Sequence, residues 1–274
     1  MGGIDDIYTH GHAESVLRSH RWRTAENSAG YLLPLLRAGQ SVLDVGCGPG
    51  TITVDLATLV SPGRVIGVDR SADAVEEARA SAAGSGNAAR TANVTFEVGD
   101  VYALDLPDDS VDVVHAHQVL QHLTDPVAAL REMTRVCRRG GVIAARDADY
   151  AGFTWYPQDT RLDAWLALYR TCARDNDAEP DAGRRLLAWA HAAGLPDTSA
   201  SASVWCFATP ADRTWWGGMW AERILHSALT DQAVASGRAT TDDLHGMSRA
   251  WQDWAAADDG WFLVPHGEIL ARRT

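Results

Sequence analysis

The chain of 274 residues contains no lysine; all 24 of its basic residues are arginine. That excludes a Schiff-base lysine and the phosphate-binding lysine of a P-loop, and it fits a GC-rich coding sequence. Cysteine is scarce. Cys47, Cys137, Cys172 and Cys206 stand far apart with no CxxC spacing, which argues against zinc clusters and a disulfide framework and fits a reducing cytoplasm. No apolar run approaches the ~18 residues that a membrane span needs. The start, Met1-Gly2-Gly3-Ile4-Asp5-Asp6, lacks the basic and apolar regions of a secretory signal and has Asp6 where myristoylation needs Ser or Thr. Positive charge is in deficit, with 24 basic against 36 acidic residues and a net charge of −12. Polyphosphate is repelled by such a chain, so nucleic acid is not an expected partner. What is present, 46% hydrophobic and 22% charged residues, is an ordinary globular composition for one large domain or a domain with an insertion.

Residues 1–40 read as helical and polar. From 41 onward, short Val/Ile-rich runs (41–45, 64–68, 94–98, 111–115 and 142–145) alternate with helical stretches at 51–59, 72–83 and 126–138. Asp125-Pro126 is an N-cap followed by proline at the first helical position, and Gly140-Gly141 follows the helix. Strands alternating with helices at this spacing predict βαβ units and a parallel sheet. After 150 the texture changes, and ten of the eleven tryptophans lie there. Leu162, Trp165, Leu166, Tyr169 and Cys172 have helical spacing, as do Leu244, Met247, Trp251 and Trp254. Residues 199–207 alternate weakly, as a strand would. A helical insertion over 209–259 and a last strand near 267–272 complete the pattern. Pro265 is placed where that strand begins, because an interior strand cannot spare a donor.

The sharpest motif is Val42-Leu43-Asp44-Val45-Gly46-Cys47-Gly48-Pro49-Gly50-Thr51, a strand running through a glycine-rich turn into a helix. Glycines permit positive φ and a close backbone approach to a ligand, and the helix start offers unpaired N–H groups. Asp69, nineteen residues after Gly50, ends the next strand, where a carboxylate can accept from both hydroxyls of a ribose; its bland alternative is an N-cap for the helix near Ala72. A dinucleotide-binding GxGxxG turn must be weighed, but Thr51 holds its third glycine position, and it leaves Asp44 unexplained. Gly99-Asp100-Val101 follows the third strand, where a carboxylate and an N–H suit adenine.

Together these residues resemble the class I S-adenosylmethionine (SAM)-dependent methyltransferases: Asp44-Val45-Gly46-Cys47-Gly48-Pro49-Gly50, then Asp69, then Gly99-Asp100-Val101, in order and at family spacing. Leu106–Val114 looks like the family's lead-in to its fourth strand. The likeness is strong over 40–150, while 1–40 and 151–274 look more loosely like the ubiquinone/menaquinone branch. It implies an α/β, Rossmann-like, doubly wound seven-stranded sheet, six strands parallel and the last antiparallel. It divides the chain into an N-terminal helical cap (1–40), a SAM-binding core (41–208), a helical lid (209–259) and the last core strand (260–274).

The resemblance also implies roles. Gly46, Gly48 and Gly50 would line the methionine and ribose of SAM, Asp44 would lie near its amino end, and Asp69 would bind the ribose hydroxyls, with Arg70 beside it. Asp100 and Val101 would take the adenine. His117 would flank the cofactor, and Tyr8, His12 and Arg23 would belong to the cap that closes over it. Methyl transfer from a sulfonium needs alignment and exclusion of water. An O- or C-acceptor can also need a base, for which His117, His122, Asp147 and Asp149 stand as candidates, with His117 and Asp149 foremost. His115 and His117 share a strand face, yet no ligand pattern joins them and His122 into a metal site. The late tryptophans are expected mainly as core, a minority lining an aromatic pocket. The expected reading is a cytoplasmic SAM-dependent methyltransferase, monomer or homodimer, acting on O, C or N of a small, aromatic or polyketide-like molecule. The rivals are a nicotinamide-dependent oxidoreductase and a non-catalytic SAM-binding module.

Overall fold

The computed structural model describes residue 6 and residues 19–84 and 91–274. Strands β1 (Val42–Val45), β2 (Val65–Asp69), β3 (Val94–Val98), β4 (Val111–His117) and β5 (Cys137–Ala148) alternate with helices α2 (Thr51–Val60), α3 (Ala72–Gly84) and α4 (Pro126–Val136); the short α1 (Ala25–Ala29) precedes them. Each βα unit begins where the sequence provides a reason. Asp125 accepts from the Ala128 N–H at 2.8 Å and Pro126 needs no partner at the first helical position. Downstream come β6 (Thr154–Tyr156), α5 (Thr160–Asp175), α6 (Leu186–Ala192), β7 (Thr198–Phe207), α7 (Pro210–Arg223), α8 (Ala228–Ala235), α9 (Thr241–Ala256) and β8 (Trp261–Arg272).

The eight-stranded sheet runs β3-β2-β1-β4-β5-β8, with β7 on the far side of β8 and the short β6 extending the β5 side of it. Neighbours from β3 to β5 are parallel, and β8 is antiparallel to β5, β6 and β7. This is the expected seven-stranded sheet, six strands parallel and the last antiparallel, plus one unforeseen short strand, β6. Two boundaries differ most from the sequence reading. Strand β5 starts at Cys137, because Gly140 (φ 77°) lets the backbone bend without leaving the sheet. Strand β8 starts at Trp261, so Pro265 lies inside it, opposite Val204. Its missing N–H costs nothing there. The Pro265 carbonyl accepts from Asp149 N–H at 3.0 Å, and the Asp149 carbonyl is satisfied by Gly152 N–H at 3.0 Å where the chain leaves β5.

One sheet face packs Val42, Val65, Val113 and Val142 against α1 and α2, and the other packs Leu43, Val114, Ile143 and Ile269 against α4 and α6. A third core joins α5, α7 and α9 through Trp165, Trp220, Trp251 and Phe262. Trp165 meets Trp220 and Trp251 edge-on at centroid distances of 4.6 and 4.8 Å, the geometry that aromatic quadrupoles favour. Threonine capping boxes at Thr209 and Thr240 start α7 and α9. Among the described residues no helix is long and apolar enough to cross a membrane.

Candidate active site

A cavity of about 530 Å³ opens at the carboxyl ends of β1, β2, β4 and β5, where the strand order reverses between β1 and β4, the ligand position in open α/β sheets. The glycine turn forms one wall. Gly46, Gly48 and Gly50 all have positive φ (66°, 52° and 80°). A Cβ on Gly46 would come within 2.3 Å of Val119 Cγ2, and one on Gly50 within 2.7 Å of the Phe96 ring. The turn therefore demands glycine at Gly46 and Gly50 for conformation and for space.

Asp69 accepts from Gly48 N–H and from Ser71 N–H, both at 2.9 Å. It is not the N-cap of α3: the Ser71 hydroxyl takes that role, accepting from Ala74 N–H at 3.2 Å. Two backbone donors leave further lone pairs on the Asp69 carboxylate for a ligand. Asp100 is exposed, accepts from Tyr102 N–H at 2.9 Å, and lines the cavity with Gly99 and the buried Val101. Arg70 also lines it and donates to the Asp6 carbonyl at 2.7 Å. Asp44 borders the cavity but is already engaged: Thr53 Oγ1 donates to Oδ2 at 2.6 Å and His115 Nδ1 lies 2.7 Å from Oδ1. His115 thus supports Asp44; among the described residues no group of three His, Cys, Asp or Glu side chains that could hold a metal ion is assembled.

His117 lies at the end of β4, 4% exposed and facing the cavity. Neither ring nitrogen has a hydrogen-bond partner among the described residues. Burial, then the charges of Arg23 and Arg146, hold its pKa well below the ordinary 6.5, so the ring is neutral. Arg23 also lines the cavity and donates to Gln118 Oε1 at 2.5 Å. Gln118, which the sequence reading did not single out, adopts φ 54° and places its Nε2 2.9 Å from His266 Nε2. Nothing in the sequence marks it, since glutamine seldom takes the left-handed region. His122 lines the cavity too, its pKa pushed down to about 3 by burial, and meets Gln121 Nε2 at 2.9 Å.

Two of the candidate bases are corrected by the geometry. Asp149 does not border the cavity. Arg184 grips its carboxylate with two hydrogen bonds of 2.6 Å, and the Arg184 N–H adds a third at 3.1 Å, so its role is structural. Asp147 lies on the sheet face opposite Arg146 and Ala148, fully buried, accepting from Gln121 N–H at 3.1 Å. Burial pushes its pKa up to about 7. Tyr8 and His12 lie outside the described residues.

The second half of the cavity is aromatic. Trp22, Trp205, Trp215, Trp216 and Trp220 line it with Tyr150 and Phe153. Trp205 Nε1 donates to the Asn27 carbonyl at 2.7 Å and so ties β7 to the N-terminal helices. Trp155, Trp165, Trp251 and Trp254 are core, as expected of most. His117 stands at the seam between the glycine-turn half and this half.

Comparison with known proteins agrees with this geometry. The sequence pattern of the family described as Methyltransferase domain matches residues 36–199. An uncharacterized methyltransferase of Schizosaccharomyces pombe is 35% identical over 273 residues, covering 97% of this chain and 96% of that protein. A probable methyltransferase of Aspergillus luteorubrus, ltbC, is 30% identical over 283 residues, covering 98% of each. Among solved structures, the YcgJ protein of Bacillus subtilis has a TM-score of 0.54 at 24% identity, over 90% of this chain and 98% of its own, a likeness of fold. The chain belongs to the class I SAM-dependent methyltransferase family, and it is an enzyme of that class.

Proposed function

We propose that this chain binds SAM in the glycine-turn half of the cavity and transfers its methyl to O, C or N of a small molecule whose aromatic body sits among the tryptophans. The observation that carries the reading is the single cavity with two unlike halves meeting at His117. The residues fit the cofactor. The turn at Gly46 and Gly48 exposes backbone, Asp69 keeps acceptor capacity for ribose hydroxyls, and Asp100 and Val101 border the place for adenine. Bound SAM would supply an already activated methyl on a positive sulfonium. The chain's residues would align the acceptor and exclude water. His117 would touch the reacting group. Asp44, held by His115 and Thr53, would lie near the amino end.

The segment 209–259 and residues 1–40 act in this reading as lid and cap over the core 41–208. Support comes from Trp215, Trp216 and Trp220 of α7, which wall the aromatic half, and from Asp6. The Asp6 carboxylate accepts from Thr124 N–H at 2.7 Å and from the Tyr102 hydroxyl at 3.3 Å, a clasp at the adenine end. The four free cysteines suit a reducing cytoplasm. The test is transfer of radiolabelled methyl from SAM to a panel of phenols, enols and amines of naphthalene size. The reading expects turnover of at least one class and, for Trp216→Ala, a raised KM for that acceptor at unchanged S-adenosylhomocysteine (SAH) affinity. Normal SAH binding without transfer to any of them would contradict the acceptor class.

A further inference from the structure

The charges around the cavity are divided. Among its described lining residues the carboxylates are Asp6, Asp44, Asp69 and Asp100, all in the glycine-turn half together with Arg70, while the aromatic half carries Arg23 and Arg223 and no described carboxylate. In a chain of net charge −12, that is a local reversal of sign. Behind the aromatic wall stands Arg146, 1% exposed, which pairs in register with His117 across β4 and β5. Its Nε donates to Ser203 Oγ at 3.0 Å and lies 3.3 Å from Glu268 Oε1. Glu268 is shared in turn with the hydroxyls of Ser201 and Ser203, at 2.7 and 2.5 Å. Both terminal nitrogens of Arg146 have no hydrogen-bond partner among the described residues, nor does either nitrogen of His117. Leaving such donors unmet in the interior is costly unless something accepts from them or is stabilised by their field.

Tryptophan walls by themselves would also suit a cation. Here two of the five lining tryptophans, Trp205 and Trp220, already carry cations. The Arg146 guanidinium lies 4.9 Å and the Arg23 guanidinium 5.9 Å from the centre of Trp205, and Arg223 lies 4.7 Å from that of Trp220. A further positive charge would meet repulsion from Arg23 and Arg223, which line the cavity, while the charge of Arg146 is offset in part by its ion pair with the buried Glu268.

Resting on the methyltransferase reading, we infer that the acceptor is an aromatic weak acid, a phenol, enol or carboxylic acid, taken up as its anion in the tryptophan-lined half. Its oxygen is held at the neutral His117, which donates an N–H, in the positive field of Arg146 and Arg23. The acid gives its proton to bulk water on binding, so His117 is a donor and not a base. The acceptor's lone pair forms the new bond to the methyl carbon, and the electron pair of the breaking C–S bond stays on sulfur. Anion and sulfonium thereby become two neutral products, for which the positive half of the cavity has no charge-based affinity.

The test titrates the SAH complex with three probes of one shape: 2-naphthoate, 2-naphthalenemethanol and 2-naphthylmethylammonium, followed by tryptophan quenching. The anion should bind about ten-fold tighter than the alcohol, and the ammonium weakest. Arg146→Met should remove the preference and Arg146→Lys should keep most of it, both at unchanged SAH affinity. Because a buried arginine can be needed for folding, a wild-type measurement stands beside the variants. 4-Nitrophenol added to excess SAH complex should show a lowered apparent pKa by the absorbance of its yellow anion. Equal binding of the three probes, tighter binding of the ammonium, no binding of the anion, or a 4-nitrophenol pKa unchanged or raised would each overturn the inference. If SAH itself fails to bind, the cofactor reading has failed, a different result.

Discussion

At the residue scale, the account rests on how few groups at the seam are free to act. Asp44 is committed to His115 and Thr53, Asp149 to Arg184, and Asp147 faces the other side of the sheet. His117 and His122 are left at the cavity; His122 Nε2 is met by Gln121 Nε2 at 2.9 Å, while His117 is buried with both nitrogens unpartnered among the described residues. If it donates to the reacting group, His117→Ala should lower kcat about 100-fold, the usual effect of losing a preorganised donor. His117→Asn, which keeps an N–H, should recover part of that, and neither should change SAH affinity. Because burial and Arg23 and Arg146 hold the ring neutral, the pH–rate profile should show no inflection near the ordinary histidine value. An inflection there, lost in His117→Asn, would make His117 a base. Gly46→Ala should abolish SAH binding, since the new methyl meets Val119 at 2.3 Å and φ stays at 66°. Val119→Ala in the same chain relieves the clash but not the backbone strain, so calorimetry should show only partial recovery.

At the scale of elements, what was readable in advance was local. The strand-turn-helix from Val42 to Val60 carries its own signals: β-branched residues, glycines, then helical spacing. The same holds for Asp69, one strand later, and for Asp125-Pro126 at the start of α4. What was not readable depends on which strands become neighbours. Trp205 reaches the cavity only because β7 lies beside β8 and its indole binds Asn27, 178 positions away. Arg146 becomes a neighbour of His117 through the β4–β5 register. Asp149 was misjudged because it directly follows Ala148, the β5 residue that lines the cavity. Strand alternation puts Ala148 on the cavity side and turns Asp149 away. Pro265 gives the element-scale prediction. Its position lacks a waiting acceptor, so Pro265→Ala should change the urea stability by less than about 1 kcal/mol. A loss of several kcal/mol would mean that the ring itself is a packing element.

At the scale of the whole molecule, burial of ionisable groups links folding to pH. His117, His122 and His266 have pKa values depressed by burial, so they stay neutral in the native state while the unfolded chain protonates them below 6.5. Asp147 acts oppositely, its carboxyl being pushed up to about 7 and therefore protonated in the native state alone above the ordinary 3.8. On unfolding near pH 5 these groups together take up about two protons, three gained by the histidines and one lost by Asp147. Their contribution to stability should therefore rise with pH by about 2 to 3 kcal/mol per unit between roughly pH 4.5 and 6, then level off. Urea midpoints across that range would check the slope. His266→Gln should flatten it by one proton, and a stability falling with rising pH there would contradict the buried-neutral description.

The measurement that bears most directly on the central claim is calorimetric titration with SAH, with NADH in parallel, on the wild type and on Asp69→Ala. The account predicts micromolar SAH binding, weak or no NADH binding, and a loss of about 1.5–3 kcal/mol for Asp69→Ala, as for a charged hydrogen-bond acceptor. NADH binding in place of SAH, or an Asp69→Ala variant that binds SAH as tightly as the wild type, would contradict it.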